Sequence, residues 1–404
     1  MSKHKPYFPQ EIYSSGRNDG APPPRVILAP HRYIQGAGII DHLGSYISII
    51  ASKNPAVLMT AGGRRRLGRR IEGALKRGGA EPTAAVFKGE CSIEEVERLT
   101  REIRNSGRKV DAIVAIGGGK CIDTAKCVAF RLGLPLVVCP SIASTDAPCS
   151  AVSVMYTTDG VGIGPEFFQN SPALVVVDTQ IIADSPLRHF IAGMGDALAT
   201  FYEARTCFYN SSGRNILGAR ITIAALGIAE LCAKTIYEEA HQAIDSVKHG
   251  VVDEAVERVV EANTLLSGIG FESGGLAAAH SIAAGLTIIP SLHQDYLHGE
   301  LVGIGLIAQL ILESHSDEAK TVARFLAEVG LPATLKHLRL DIEKDAQSLK
   351  AAMSAAMKEP FISNEPIDLS AEKLYSAFIE ADNLGKEIIA VVGDAPFGSI
   401  HCPA

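Results

Sequence analysis

The chain has 404 residues, enough for two domains with substantial cores, and its 47% hydrophobic and 21% charged content is ordinary for a globular protein. A formal net charge of -7 excludes a nucleic-acid footprint spread over the molecule, and no apolar run approaches the ~18 residues that a membrane span needs. Eight cysteines (Cys91, Cys121, Cys127, Cys139, Cys149, Cys207, Cys232 and Cys402) show no CxxC pair or regular spacing. Neither a disulfide framework nor a zinc knuckle is therefore indicated, and a reducing, cytoplasmic setting is the default expectation.

The first 25 residues have no apolar core, and Glu11 and Asp19 interrupt them. They read as an N-terminal extension (1–25), not as a secretory or transit signal. Short apolar, β-branched runs follow at 25–29, 55–60, 83–87, 111–116, 135–139 and 173–178. Near-continuous apolar runs of this length are what parallel strands buried on both faces require. Helical patterns lie between them, such as 92–107 with its Glu- and Arg-rich face. Strand and helix in alternation predict a doubly wound, Rossmann-like α/β domain over 26–187. After Pro186 the strand signal fades, and Ala/Leu/Ile-rich segments at 214–240, 249–268, 301–314 and 317–329 predict an all-helical domain over 188–404.

Ile116-Gly117-Gly118-Gly119-Lys120 leaves a predicted strand and opens a helix. Glycines there let a ligand approach the backbone, and the free N–H groups of a helix start favour a pyrophosphate. A GGGK alone is a weak signal; it matches neither the triphosphatase P-loop nor a clean GxGxxG. Its extension GGGKCIDTAK, with Asp123 and Lys126 on the first helical turns, is more specific. The hydroxyl-rich segment from Pro140 to Ser150 leaves the next strand, and ligands of open α/β sheets bind at the carboxyl ends of strands.

In the helical half, Asp196, His280 and His298 each interrupt a stretch rich in small apolar residues. A polar group buried without a partner costs several kcal/mol, about 2–7 by transfer measurements, so three such intrusions need an explanation. Two imidazoles and one carboxylate suit a catalytic zinc with an open coordination position. The same set suits Fe(II), and it also describes the facial triad of iron oxygenases, which the GGGK half argues against.

The segments GGGKCIDTAK, PSIASTDAPCSAVSVMY, AGMGDALATFYEA, GFESGGLAAAHSIAAGLT and YLHGELVGIGL, in that order, closely resemble the glycerol dehydrogenases of the iron-containing (group III) alcohol dehydrogenase superfamily. The resemblance runs from about residue 26 to 340. It implies a dehydroquinate synthase-like architecture, with an N-terminal α/β domain, a C-terminal helical domain and an active site in the cleft between them. It also implies hydride transfer between a nicotinamide cofactor, NAD or NADP, and a small polyol such as glycerol. Asp196, His280 and His298 become the metal ligands, zinc being favoured over iron. Gly118, Gly119 and Lys120 become the pyrophosphate site, and Ser141, Ser144, Ser150, Val152 and Tyr156 line the rest of the cofactor site. Asp146 contacts the polyol, with Phe271 nearby. A cytoplasmic homo-oligomer, octameric in this family, is implied as well.

Two departures qualify the resemblance. Many relatives carry a second histidine three residues after the first metal histidine, where this chain has Ala283; a substrate hydroxyl, water or His293 would have to replace it in proton transfer. NAD-linked members place a carboxylate after the second strand, whereas this chain has Thr60-Ala61-Gly62-Gly63-Arg64-Arg65-Arg66. Arginines there suit the extra phosphate of NADP, although a solvated basic helix start reads equally well. The alternative expectation is therefore an NADPH-preferring reductase of 2-oxo acids or small aldehydes and ketones. A dehydroquinate synthase-like lyase is disfavoured, because the metal-site motifs are poor in the Lys and Arg that a phosphorylated substrate needs.

Overall fold

Six strands pair in parallel to make the sheet of the first half of the chain. A computed structural model describes residues 6–13 and 21–401; Asp19, Cys402 and parts of the N-terminal extension lie outside the described residues. The strands are β1 (Tyr33–Gly36), β2 (Pro55–Thr60), β3 (Thr83–Phe87), β4 (Ala112–Gly117), β5 (Leu136–Pro140) and β8 (Leu174–Asp178). Two more, β6 (Val152–Tyr156) and β7 (Gly162–Phe167), form a separate antiparallel pair. Across the sheet the order is β1-β8-β5-β4-β2-β3.

Burial on both faces explains the apolar runs. Val57, Met59, Val114, Ile116, Val137 and Val176 alternate onto one face, where they pack with Ile71 and Leu75 of the Ala61–Arg77 helix. The alternate residues Leu58, Ile113, Ala115 and Val138 are equally buried on the other. Connections run outward from β2 to β3 and then return to β4 on the opposite side of β2. The switch in winding direction thus falls between β2 and β4, so the chain leaving Thr60 and the chain leaving Gly117 are neighbours at the carboxyl edge.

The chain divides into two compact units. Of the described residues, the first holds 28–143 and 147–185 together with 6–9; the second holds 186–401 with 10–13, 21–27 and Ser144–Asp146. The expected strand at 25–29 is not in the sheet. Arg25 makes an isolated bridge to Arg220, its guanidinium donates to the Ile221 carbonyl at 2.8 Å, and the strand role passes to Tyr33–Gly36.

After Pro186 the named elements are helices. Leu187–Tyr209 is flanked by Ile223–Lys248, Ser267–Gly274 and His298–Leu312. The expected 214–240 helix starts only at Ile223, where Thr222 caps it; Asn215 Oδ1 instead accepts the N–H groups of Leu217 and Ala219 in a turn. The expected 249–268 helix is Glu254–Glu261, capped by Asp253, followed by a π-helical turn at Ala262–Leu266. Among the described residues no helix is long and apolar enough to cross a membrane.

Candidate active site

The glycine turn after β4 differs from its neighbours in what it leaves open. Thr60, Ser92 and Asp178 each cap the helix that follows with a side-chain oxygen, whereas Gly118 precedes the Gly119–Leu132 helix and brings no side chain. That helix start therefore has no side-chain cap, the arrangement that receives a phosphate. A Cβ on Gly118 would stand 2.8 Å from Ile142 Cδ1, so a side chain there would have to displace the end of Ile142. Lys120 is half exposed; its Nζ lies 2.7 Å from Glu90 Oε1 and 5.2 Å from the Tyr156 ring centroid. Burial pushes the Tyr156 phenol above its usual pKa.

Lys126 and Asp123, one turn apart on the same helix, hold the following loop. The buried Lys126 ammonium donates to Asp123 Oδ1 (3.1 Å), the Ala147 carbonyl (2.8 Å), Ser150 Oγ (2.9 Å) and the Val152 carbonyl (2.7 Å). Asp123 Oδ2 accepts the Val154 N–H at 3.0 Å. Two expected cofactor-lining residues, Ser150 and Val152, are thus fixed in place by a lysine to which sequence reasoning had given no task. Ser141 is half-buried in the first unit, while Ser144 is buried and groups with Asp146 in the second.

Asp196, His280 and His298 come together within the second unit: one ligand atom from each lies within 4.8 Å of the others. His280 Nε2 and His298 Nε2 both stand 3.4 Å from Asp196 Oδ1. That oxygen is buried and makes no hydrogen bond, while Oδ2 accepts the Asp146 N–H at 3.2 Å. Ligands about 2.1 Å from a tetrahedral ion are about 3.4 Å from one another, so the spacing and the unsatisfied oxygen both fit a divalent cation. Asp196 and His280 are buried, whereas the His298 side chain is 45% exposed, leaving one side accessible.

Close helix crossings bring the three together. A Cβ on Gly299 would stand 1.9 Å from the Ala192 carbonyl oxygen and 3.1 Å from Asp196 Cβ, so glycine beside His298 is what lets its helix start approach Asp196. Gly305, two turns on, meets the Ala279 carbonyl in the same way and draws in the segment bearing His280. Glu300 closes the helix start: its Oε2 accepts the Leu297 N–H at 2.8 Å, and the carboxylate is held by Arg188 and His401.

Electrostatics follow from burial and neighbours. Burial alone would raise the Asp196 pKa, but His298 and His280 outweigh it and hold the carboxyl below its usual range. Burial opposes a charge on His280, yet Glu203 and Asp196 on either side of the ring lift its pKa well above the ordinary value. His298 goes the other way, lowered by the desolvation of its surroundings. Phe271 is buried on the Ser267–Gly274 helix of the same unit, and His293 is half-buried on the short Pro290–Asp295 helix.

A parallel nucleotide-type sheet with an uncapped glycine turn and an Asp-His-His cluster are the parts that a metal-dependent, nicotinamide-linked dehydrogenase needs. Comparison with known proteins narrows the class, and the chain belongs to the iron-containing alcohol dehydrogenase family, whose model matches residues 30–179. It is 43% identical over 369 residues to a glycerol dehydrogenase of Escherichia coli, covering 90% of this chain and 98% of that one. A Thermotoga maritima glycerol dehydrogenase is 42% identical, with 89% and 97% covered. The crystal structure of glycerol dehydrogenase from Schizosaccharomyces pombe superimposes with a TM-score of 0.86 at 34% identity, over 91% of this chain and 93% of that one.

Proposed function

We propose that the chain transfers a hydride between a nicotinamide dinucleotide and a small polyol, glycerol being the first to test, with Asp196, His280 and His298 holding one divalent cation. The observation that carries this reading is Asp196 Oδ1, buried, without a hydrogen bond, and with an imidazole Nε2 at 3.4 Å on each side. When bound there, a divalent cation supplies Lewis-acid polarisation of a substrate oxygen, and the nicotinamide supplies the hydride acceptor or donor. The donor set suits zinc and iron(II) alike, and the resemblance to glycerol dehydrogenases is what favours zinc.

The chain's own residues do the rest. Asp196 brings a carboxylate whose ionised form its neighbours favour, and the two Nε2 atoms complete three ligands with one side left accessible. Asp146, whose N–H steadies Asp196 Oδ2, contacts a polyol hydroxyl, and Phe271 contributes apolar wall. The uncapped helix start after Gly118, with Gly119 and Lys120, binds the pyrophosphate, for which Lys120 exchanges Glu90 for phosphate oxygen. Ser141, Ser144, Ser150, Val152 and Tyr156 line the remaining cofactor surface. A cytoplasmic homo-oligomer, octameric as in the family, belongs to the same proposal.

Metal removal tests the reading. A chelator should abolish glycerol oxidation and added Zn²⁺ should restore it, while Asp196→Ala should lose bound metal and about 10³-fold or more in turnover together. An Asp196→Ala enzyme retaining both would reject it. One observation favours a second reading, an NADPH-preferring reductase of 2-oxo acids or small aldehydes and ketones. Arg64, Arg65 and Arg66 are exposed where the chain leaves β2, and the first turn of the helix there has no acidic residue. Comparing glycerol/NAD⁺ with 2-oxo acid/NADPH turnover separates the two.

A further inference from the structure

Glu203 is a buried carboxylate that the reaction described above does not use. It follows Asp196 by seven residues on the Leu187–Tyr209 helix. At about 100° per residue, seven steps return to within about 20° of the same face, so the two carboxylates point the same way two turns apart. Glu203 is 0% exposed. Its Oε2 lies 2.5 Å from His280 Nδ1, and its Oε1 accepts the N–H groups of Ala277 (2.8 Å) and His280 (3.0 Å).

Those N–H groups belong to a helix start with no cap of its own. Ala277 precedes the Ala278–Leu286 helix and offers no side-chain acceptor. Acceptors come instead from other segments: Glu203 serves Ala277 and His280, Glu365 serves Ala278 (2.9 Å) and Gln309 serves Ala279 (2.8 Å). Of these three acceptors, Glu203 is the one bonded to the imidazole as well. With both carboxylate oxygens accepting, Nδ1 carries the ring hydrogen, and the ring's other nitrogen, Nε2, faces Asp196 Oδ1.

We infer that Glu203 is a positioning residue for the cation site: it fixes both the rotation and the tautomer of His280, so that the Nε2 lone pair is presented beside Asp196 and His298. The inference rests on the cation reading given above. A carboxylate behind a ligating imidazole also makes that imidazole a stronger donor. The Glu203→Gln variant is informative because an amide has one acceptor oxygen. If that oxygen stays with the two backbone N–H groups, the amide NH₂ faces Nδ1. The ring hydrogen then moves to Nε2, where it blocks the cation.

The test is the Zn²⁺ dissociation constant of the metal-stripped enzyme, measured by competition with a chelator. Glu203→Gln should weaken binding about 10- to 100-fold. Glu365→Gln removes a carboxyl from the same helix start, keeps an oxygen for the Ala278 N–H, and should change the constant far less. Equal losses in both variants would mean a general effect of disturbing the helix start and would overturn the inference. Unchanged binding in Glu203→Gln, with the parent binding Zn²⁺ normally, would overturn it alone. A parent that binds no Zn²⁺ would overturn the cation reading beneath it. Should Glu203→Gln fail to fold, the histidine ¹⁵N spectrum of the Zn²⁺-loaded parent decides: His280 should show a protonated Nδ1 and a metal-shifted Nε2, and the reverse assignment would refute the role.

Discussion

At the scale of single residues, the buried carboxyls differ in how well donors serve them. Asp196 and Glu300 face imidazoles or a guanidinium, and both titrate below their usual range. Glu365 accepts one backbone N–H but is buried beside Glu313, and burial with that like charge pushes its pKa up to about 9. In the unfolded chain a glutamate titrates near 4.3, roughly. Between these two values the folded protein therefore binds the extra proton, and its stability falls as pH rises, by at most about 1.4 kcal/mol per pH unit. Glu365→Gln, uncharged throughout, should flatten the dependence of Tm on pH between 6 and 9 and gain on the parent toward pH 9; parallel curves would contradict this. The metal-type triad was legible in the sequence because each member interrupts an Ala/Gly-rich stretch. Glu203 was not, since Glu in a helix usually faces water, and Lys126 stood out only as part of GGGKCIDTAK, its hold on the following loop unannounced. The one available signal was spacing: seven residues from Asp196 to Glu203, and three from Asp123 to Lys126.

At the scale of elements, helix crossings made possible by glycine set the site geometry. Gly299→Ala would drive a methyl into the Ala192 carbonyl and against Asp196 Cβ. Overpacking of this kind costs about 1–3 kcal/mol and is relieved by moving the helix start that carries His298. Chemical denaturation should show the loss of stability, and the Zn²⁺ constant should weaken with it; unchanged metal affinity would separate this crossing from the site. Five of the six expected strands were readable as apolar runs because both faces of the sheet are covered. Tyr33–Gly36 escaped notice because it is an edge strand, only half-buried along its length. The β6–β7 pair escaped for a related reason: Gly162, Gly164 and Pro165 lie within β7, and most of that strand is exposed. At 25–29 the apolar run found a different partner, the turn around Arg220, which no local pattern announces.

At the scale of the whole molecule, the β2–β4 switch point bears on cofactor choice. Thr60 caps the helix that starts there, and Arg64, Arg65 and Arg66 stand exposed near its start, whose first turn has no acidic residue. If they hold a 2′-phosphate, Arg64→Ala/Arg65→Ala should raise the KM for NADP by about tenfold or more while the KM for NAD moves little, a charge-assisted contact being worth about 1.5–3 kcal/mol. Equal effects on both cofactors would assign the arginines to solvent. The succession of an α/β half and a helical half was plain from periodicity, whereas the packing of residues 10–13 and 21–27 with the second unit depends on contacts such as Gln10 Nε2 to the Ile216 carbonyl, far away in sequence.

The seven-residue interval between Asp196 and Glu203 also says where this chain cannot change length. One residue inserted between them would swing Glu203 by about 100° and carry it about 1.5 Å along the axis, out of line with the imidazole it serves. Between Tyr209 and Ile223 the chain is held by distant segments as well, Asn364 bonding Asn210 and Arg214 and Arg25 bridging to Arg220. A change of length is thus forbidden between Asp196 and Glu203, where the helix works as a gauge whose graduations are counted in whole turns.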